Sequence, residues 1–243
     1  MDFTIKQLQK IKEKIKIVPH GFNPSIFKKI KVDKKDDKFT FVANKGWRGT
    51  ANDRGGMQFL LQAFAEEFRK EEKVKLMVKI NTAYAPDLDI PEAMKVLGIK
   101  QGTGHADILI NTEQTTLEEV NKLYNSGDVF VSTSMAEGFN LPVIESMACG
   151  LPVIVTKFGG HMDFVNKSNG LIIEEGEMID VKGDLQYEGI KWFKPSIKDI
   201  RKKLRYAFEH QSEMKKLGEN SYKKSEEYTW SNSAKKLLEV LKQ

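Results

Sequence analysis

Two glutamates, Glu137 and Glu145, stand on either side of the seven-residue stretch GFNLPVI. A carboxylate can accept hydrogen bonds from two adjacent hydroxyl groups, so it suits the vicinal diol of a ribose or a hexose. Between the glutamates, Gly138 allows a ligand to approach the backbone closely, and Asn140 can cap a helix that starts after it. The amides of residues 138–141 would then lie at the positive end of that helix, which suits a phosphate. The spacing indicates a phosphate flanked by two polyols, as in a nucleotide diphosphate sugar.

The same pattern has a second interpretation, in which it binds nothing. A strand, a loop and a helix with two glutamates at this spacing also occur by chance, and both carboxylates would then be solvated groups near the helix ends. Pro142 fits the first turn of the helix and Gly150 fits its C-terminus in either case. The spacing alone leaves both interpretations open.

Apolar runs that read as strands alternate with helical segments, which predicts a parallel sheet covered on both faces. After the first run, Met57, Leu60, Leu61 and Phe64 recur at steps of three and four, as in a helix that packs on a sheet. We therefore predict a Rossmann-like α/β fold with a mainly parallel, six-stranded sheet. The expected strands are residues 39–44, 74–80, 106–111, 128–133, 152–156 and 170–174.

This order of elements places the glutamate motif after the fourth strand, at the carboxyl edge of the sheet, where ligands bind in open α/β folds. Thr115 or Thr116, followed three residues later by Glu118 or Glu119, predicts a capping box at the start of the preceding helix.

The stretch 175–196 breaks the alternation and is expected to be a long surface excursion. Within it Trp192 and Phe193 are expected to pack into the core or an interface, and an amphipathic helix with Ala234, Leu237, Leu238 and Leu241 on one side is expected to end the chain.

The composition describes a globular protein with an uneven charge distribution. The apolar and charged fractions are 40% and 30%, and no apolar run approaches the ~20 residues of a membrane helix. The start lacks the apolar core of a signal peptide, and Cys149 is the single cysteine, which excludes an internal disulfide and a cysteine-based zinc site. We therefore expect a cytoplasmic protein.

The net charge of +5 belongs to one end of the chain. Residues 1–38 contain eleven lysines and five acids, whereas residues 39–243 contain 28 bases and 29 acids. A nucleic-acid-binding face would spread its bases among aromatic residues, so we expect no nucleic-acid partner. A solvated helix face is the plainer role for the basic segment, and peripheral contact with an anionic membrane surface is the other.

The stretch EGFNLPVIESMACGLPVI resembles the glutamate-x7-glutamate signature of retaining GT-B glycosyltransferases of family four, usually EGFGLPxxEAMACGxPVI. The similarity continues through most of the chain. The segment IVPHGFNPSIF resembles the connection into the donor domain, and LYNSGDVFVSTSMAEGF, TKFGGHMDFV and YTWSNSAKKLLEVLK resemble the family's later elements. The resemblance implies the C-terminal, nucleotide-sugar-binding half of a GT-B fold.

The resemblance also implies roles for single residues. Glu145 would accept hydrogen bonds from the ribose, and Glu137 would be the catalytic residue that faces the transferred sugar and favours positive charge at its anomeric carbon. The amides of Phe139, Asn140 and Leu141 would contact the sugar and the distal phosphate. Asn140 replaces the family's second glycine, a tolerable change if it caps the helix.

The family's diphosphate-neutralising Arg and Lys, in a GR…KG pattern, are not matched directly by ANKGWRGTANDRGG. Arg54 best matches the family's Lys, and its partner is either Lys45 or Arg48. Gly138 and Ser134 complete the expected donor-binding set. The resemblance implies no cofactor and no essential metal.

Other motifs carry less weight. Asp87 and Asp89 form a D-x-D sequence, but in a loop before a proline, and GT-B enzymes do not need it. The glycines of GTGHAD precede a strand, so they do not form a dinucleotide fingerprint. His161 lies on the expected ligand side, where a role in donor contact is weighed against none, and Cys149 is expected to be a buried, inert thiol.

We therefore expect residues 1–17 to be a remnant of an N-terminal acceptor domain or linker, and residues 18–243 to be the donor domain. A truncated enzyme is expected over a natural half-protein, because residues 2–16 have no domain to pack on. The expected function is transfer of a sugar, of hexosyltransferase type, to an acceptor (glycan, lipid or protein) that the sequence does not specify. The alternative is a non-catalytic nucleotide-sugar-binding subunit. An epimerase or a phosphorylase would share the fold, but the motif argues against the first and no cofactor-lysine pattern supports the second.

Overall fold

The structure is a computed structural model that describes residues 12, 14–34, 36–50, 53–99, 104–182 and 187–242. Six strands form one sheet in the order β3-β2-β1-β4-β5-β6, and every neighbouring pair is parallel. The predicted α/β fold and all six predicted strands are confirmed. The strands are β1 (Phe39–Gly46), β2 (Val74–Asn81), β3 (Asp107–Asn111), β4 (Val129–Ser132), β5 (Val153–Thr156) and β6 (Gly170–Ile173).

Helices cover both faces of this sheet. Phe41 and Val42 are adjacent in β1, yet they belong to two separate hydrophobic clusters, because successive side chains of a strand point to opposite faces. The cluster around Phe41 includes the apolar sides of α1 and α5, and the cluster around Val42 includes those of α3 and α4. The helices are α1 (Met57–Glu67), α2 (Ile90–Val96), α3 (Leu117–Asn125), α4 (Leu141–Ala148), α5 (Ile197–Glu209), α6 (Gln211–Ser225) and α7 (Trp230–Leu241).

The strand order fixes where a ligand can bind. The chain moves outward from β1 through β2 to β3 and then returns to β4 on the other side of β1. This reversal opens a crevice above the carboxyl ends of β1 and β4. The loop after β1 and the loop that carries Glu137 both begin at this crevice.

The described part of the predicted surface excursion, residues 175–182 and 187–196, contains a pair of strands. Strands β7 (Gly176–Asp180) and β8 (Lys191–Pro195) pair antiparallel, and Trp192 and Phe193 are buried as predicted. The backbone N–H of Phe193 donates to Met135 O at 2.9 Å, so the hairpin contacts the loop after β4. Both strands lie outside the main sheet, in agreement with the predicted excursion. Their pairing was not predicted, because they alternate charged and apolar residues and do not resemble the buried core strands.

The segment before β1 runs along the domain. The backbone N–H of Phe22 donates to Tyr228 O at 2.9 Å, and the N–H of Trp230 donates back to Phe22 O at 3.1 Å. Of the predicted remnant at residues 1–17, only Lys12 and residues 14–17 lie within the described part of the chain. Among the described residues, no helix combines the length and the apolar character that a membrane crossing requires.

The last helix leaves an apolar side uncovered. Helix α7 starts at the N-cap Thr229, whose side chain accepts from the backbone N–H of Asn232. Leu237, Leu238 and Leu241 are all exposed. The predicted amphipathic helix is therefore present, but its leucines do not pack on the described sheet.

Candidate functional site

The loop after β4 ends in an unusual backbone conformation at Asn140. This residue occupies the N-cap position of α4 with φ 73° and ψ 64°, and its side chain does not cap the helix. Capping needs an extended backbone, which directs the side chain toward the free N–H groups of the first turn. Instead, Asn140 accepts from Lys45 Nζ at 2.9 Å and donates to Ser132 Oγ at 3.0 Å. The prediction that the Asn140 side chain caps α4 is wrong, and this side chain leaves the amides at the start of the helix uncapped.

The remaining helix signals agree with the structure. Pro142 lies in the first turn of α4, and Gly150 adopts φ +84° just beyond its end, a conformation that glycine takes without strain. Thr116 and Glu119 form the predicted capping box of α3. The elements around the motif are thus specified locally by the sequence.

Two cations meet the carboxylate of Glu137. Lys45 Nζ lies 2.7 Å from Glu137 Oε1, and Arg54 Nη1 lies 3.6 Å from the same oxygen. Arg54 Nη1 also donates to Ala136 O at 2.6 Å, which holds the guanidinium against the loop. Arg48 is exposed, and its backbone N–H donates to Asp53 Oδ2 at 3.0 Å. Of the two candidate partners of Arg54, the structure brings Lys45 to the site and leaves Arg48 at the surface.

The cations keep Glu137 ionised despite its burial. Burial disfavours the carboxylate, but Lys45 and Arg54 more than offset it, so the pKa of Glu137 lies below its ordinary value. Burial lowers the pKa of Lys45, and the adjacent carboxylate opposes that shift. We expect Lys45 and Glu137 to form a charged pair at neutral pH. The ammonium of Lys45 can then exchange this carboxylate for an anion that binds it more tightly.

Glu145 has a different environment. Its Oε2 accepts from the Tyr124 hydroxyl at 3.2 Å, and that hydroxyl accepts from Asn44 Nδ2 at 2.9 Å. Burial raises the pKa of Glu145 from its ordinary 4.5 to about 7, which hydrogen bonding from Tyr124 opposes. Because Asn44 and Lys45 are neighbours at the end of β1, Glu145 and Glu137 both lie at the carboxyl end of that strand.

The other predicted site residues have distinct positions. Gly138 is exposed, and a Cβ placed there would meet no atom within 4 Å. Phe139 is half-buried, with its ring centroid 5.0 Å from that of Phe164 and 5.4 Å from that of His20. Leu141 is half-buried at the start of α4. Ser134 is fully buried beneath the loop, with its hydroxyl 3.1 Å from Ser132 Oγ.

For His161 the sequence left donor contact and no role open, and the structure places it beneath the site loop as a support. The side chain is fully buried, and its Nε2 lies 2.6 Å from Thr156 O. Burial lowers the pKa of His161, so it is neutral and donates from Nε2. The turn that it anchors includes Gly160, whose N–H donates to Glu137 O at 3.0 Å. His20 also contacts the site loop through the ring of Phe139, a contact that the spacing of the four histidines in the sequence does not predict.

The residues weighed for metal binding or nucleophilic chemistry have structural partners. Asp89 is the N-cap of α2 and accepts from the backbone N–H of Glu92 at 3.0 Å. Burial raises the pKa of Cys149 to about 12, and its thiol donates to Asn121 Oδ1 at 3.0 Å. Within the part of the chain that the structure describes, no three His, Cys, Asp or Glu side chains group as metal ligands.

The strand order and the helix layers place the chain among Rossmann-like α/β domains, and solved structures narrow this to the GT-B glycosyltransferase fold. Sucrose-phosphate synthase from Thermosynechococcus elongatus superposes with a TM-score of 0.68 at 17% identity, over 94% of this chain and 52% of that protein. The Anabaena protein HepE, solved in complex with UDP-glucose, superposes with a TM-score of 0.66 at 17% identity, over 93% of this chain and 57% of that protein.

The family itself follows from the sequence. The family model for glycosyl transferases group 1 matches residues 38–186, and the chain belongs to that family. A probable sucrose-phosphate synthase from Thermosipho melanesiensis is 28% identical over 241 residues, which cover 95% of this chain and 48% of that protein. The chain thus spans about half the length of the relatives it matches.

Proposed function

We propose that this chain is the donor-binding half of a retaining glycosyltransferase that uses a nucleotide diphosphate sugar. The observation that carries the proposal is the placement of Glu137, Glu145, Lys45 and Arg54 around the uncapped start of α4. Charged carboxylates, paired cations and free amides at one sheet edge match the alternation of hydroxyls and phosphates in such a donor. The UDP-glucose bound to the fold relative HepE supports this class of ligand.

Each group has a defined part in binding. The diphosphate takes Lys45, Arg54 and the amides of residues 138–141, which together supply the neutralising charge. Glu145 accepts hydrogen bonds from the ribose hydroxyls. Glu137, released from the cations, faces the sugar. Because protein cations and a helix terminus already neutralise the phosphates, we expect binding not to require a divalent ion.

Transfer breaks the bond between the anomeric carbon and the distal phosphate oxygen. A new bond forms from the anomeric carbon to the oxygen of an acceptor hydroxyl, whose proton passes to the leaving diphosphate. The leaving diphosphate gains negative charge, which Lys45, Arg54 and the helix amides stabilise. Glu137 stabilises the positive charge at the anomeric carbon. The acceptor, the cytoplasmic location and retention at the anomeric carbon stay predictions, and nuclear magnetic resonance of the product's anomeric proton tests the last.

Calorimetry on two variants tests the site. Glu145→Ala should weaken UDP and UDP-glucose alike, by roughly tenfold to a hundredfold, because a hydrogen bond to a charged group contributes about 1.5–3 kcal/mol. Glu137→Ala should weaken UDP-glucose and spare UDP, since it faces the sugar. Arg48→Ala, at the exposed position, is the matched control. Titrations with and without EDTA should agree within tenfold.

Two results would overturn the proposal. If the unmodified chain binds neither UDP nor UDP-glucose, and binds neither GDP nor ADP, the site does not hold a nucleotide. If Glu137→Ala weakens UDP and UDP-glucose equally, Glu137 does not face the sugar. Donor binding without transfer by a protein that includes the acceptor half would instead support the non-catalytic subunit.

A further inference from the structure

Strand β2 carries two buried lysines on one face, and of these two only Lys75 forms an ion pair with a described carboxylate. Lys75 and Lys79 are 9% and 7% exposed, and their spacing of four residues directs them to the same side of the strand. Lys75 Nζ donates to both carboxylate oxygens of Asp36 at 2.8 Å. Lys79 Nζ donates to Ile80 O at 2.9 Å, and none of the described carboxylates forms an ion pair with it. Glu113 attracts the Lys79 ammonium without forming an ion pair, and burial still lowers the pKa of Lys79. A buried ammonium that has no direct carboxylate partner is costly, and a ligand that accepts a hydrogen bond from it would offset this cost.

Lys79 belongs to the site edge of the sheet. It pairs in register with Asn44 of β1 on one side and with Asn111 of β3 on the other. These three residues form a polar row at the carboxyl ends of the strands. Asn44 donates to the Tyr124 hydroxyl, which in turn donates to Glu145. The polar row therefore begins at Asn44, which the hydroxyl of Tyr124 connects to Glu145, the proposed ribose contact.

The geometry also sets the direction in which a bound nucleoside extends. The diphosphate position lies at Lys45, Arg54 and the start of α4, above β1 and β4. On the β5 side, the turn at Gly159 and Gly160 is packed against the loop, and a Cβ at Gly160 would overlap Gly138 O. Protein atoms thus occupy the β5 side of the site, so a nucleoside held at Glu145 extends toward β2 and β3. Its base then lies over the row that contains Lys79.

We propose that Lys79 recognises the base of the donor by donating a hydrogen bond to O4 of uracil or O6 of guanine, so that the site prefers a keto base over an amino base. The inference rests on the proposed nucleotide-sugar function and adds the class of base. An ammonium group can only donate. Uracil and guanine present a carbonyl oxygen where cytosine and adenine carry an amino group, which is itself a donor. Lys79 therefore favours uracil or guanine and disfavours cytosine or adenine.

Matched ligand pairs test this assignment by calorimetry on the 243-residue chain. UDP and CDP differ at one keto or amino position, and GDP and ADP differ at the corresponding position plus one amino group. Wild type should bind the keto member of at least one pair about tenfold or more tightly than the amino member. Lys79→Met should weaken that keto nucleotide by roughly tenfold to a hundredfold and leave its amino counterpart nearly unchanged. Lys75→Met, on the same face but paired with Asp36, should keep the wild-type preference.

The outcomes separate this inference from the function it rests on. If wild type binds no nucleoside diphosphate, the proposed function fails and the inference fails with it. If the nucleotides bind and Glu145→Ala weakens them, but Lys79→Met weakens UDP and CDP equally or not at all, the base assignment alone is overturned. The wild-type preference is a readout that needs no variant. A chain that binds CDP as tightly as UDP, and ADP as tightly as GDP, also overturns it.

Discussion

Glu137 and Glu145 belong to one loop and one helix, yet their surroundings move their pKa values in opposite directions. Burial disfavours the charge at both positions. At Glu137 the cations Lys45 and Arg54 reverse that effect, whereas at Glu145 the hydroxyl of Tyr124 offsets only part of it. The domain therefore maintains one carboxylate that is ionised over a wide range and one that titrates near neutral pH.

This contrast predicts a stability cost at Glu145. Its pKa of about 7 in the folded chain lies above the ordinary 4.5, so the folded state binds the extra proton between these values. The stabilisation is complete below pH 4.5 and is lost as the pH rises through 7. Glu145→Gln, which carries no charge, should raise the free energy of unfolding at pH 8 by about 1–3 kcal/mol and change it little at pH 4.

Urea denaturation at the two pH values measures the difference. Glu137→Gln is the control, and it should lose stability at pH 8 because it leaves Lys45 buried without its carboxylate. An equal gain from Glu145→Gln at both pH values would mean that packing, and not charge, sets the effect.

The residue contacts were only partly readable from the sequence. The spacing of Glu137 and Glu145 predicted that both would reach one sheet edge, because the elements between them are local. The choice between Lys45 and Arg48 depends on how the loop after β1 folds against the loop after β4. No local rule fixes a contact between residues so far apart in the chain. Lys79 looked like an ordinary strand residue because burial is decided by the helices on the sheet.

At the scale of elements, Gly138 and Gly160 at the site loop differ in the space that surrounds them. Gly138 faces open space, whereas Gly160 is pressed against Gly138 O. Gly138→Ala should therefore leave the melting temperature nearly unchanged but weaken UDP-glucose by about tenfold or more, because the new methyl group occupies the ligand's path. Gly160→Ala should lower the melting temperature by several degrees, since the backbone of the loop must move.

Differential scanning calorimetry and ligand titration on the same two samples check this prediction. Unchanged UDP-glucose affinity in Gly138→Ala would mean that the ligand does not pass over this residue. Unchanged melting in Gly160→Ala would mean that the turn after β5 does not support the loop.

The core strands were predictable because each is a short, nearly continuous apolar run, as expected for strands buried on both faces. The hairpin of β7 and β8 was not, because its outward residues are charged and its strands lie outside the main sheet. This hairpin brings Tyr187 to the site: its ring centroid lies 6.0 Å from Arg54 Cζ. The hairpin contacts the loop after β4 through residues that are far apart in the sequence, so local patterns did not predict this contact.

At the scale of the whole molecule, the proposed function gives this chain the donor side of a transfer reaction. It spans about half the length of its relatives, and the leucines of α7 are exposed. We expect this chain alone to bind UDP-glucose or another nucleotide sugar without glycosyl transfer, because transfer needs an acceptor hydroxyl held at the anomeric carbon. Incubation with radiolabelled donor and a panel of acceptors measures transfer. Turnover by the isolated chain would show that the acceptor site lies within these residues.

Because Glu137 contacts both Lys45 and Arg54, the proposed diphosphate position already contains a carboxylate of the protein. Under the proposed function, a diphosphate that binds there would have to displace this carboxylate from the two cations. Part of its attraction to Lys45 and Arg54 would then replace the attraction of Glu137 and add little to the affinity. A free hexose cannot make that exchange, because it has no charge to offer, and it meets a carboxylate that is already engaged. Under the proposed function, we therefore expect the diphosphate to occupy its position before Glu137 can contact the sugar to be transferred.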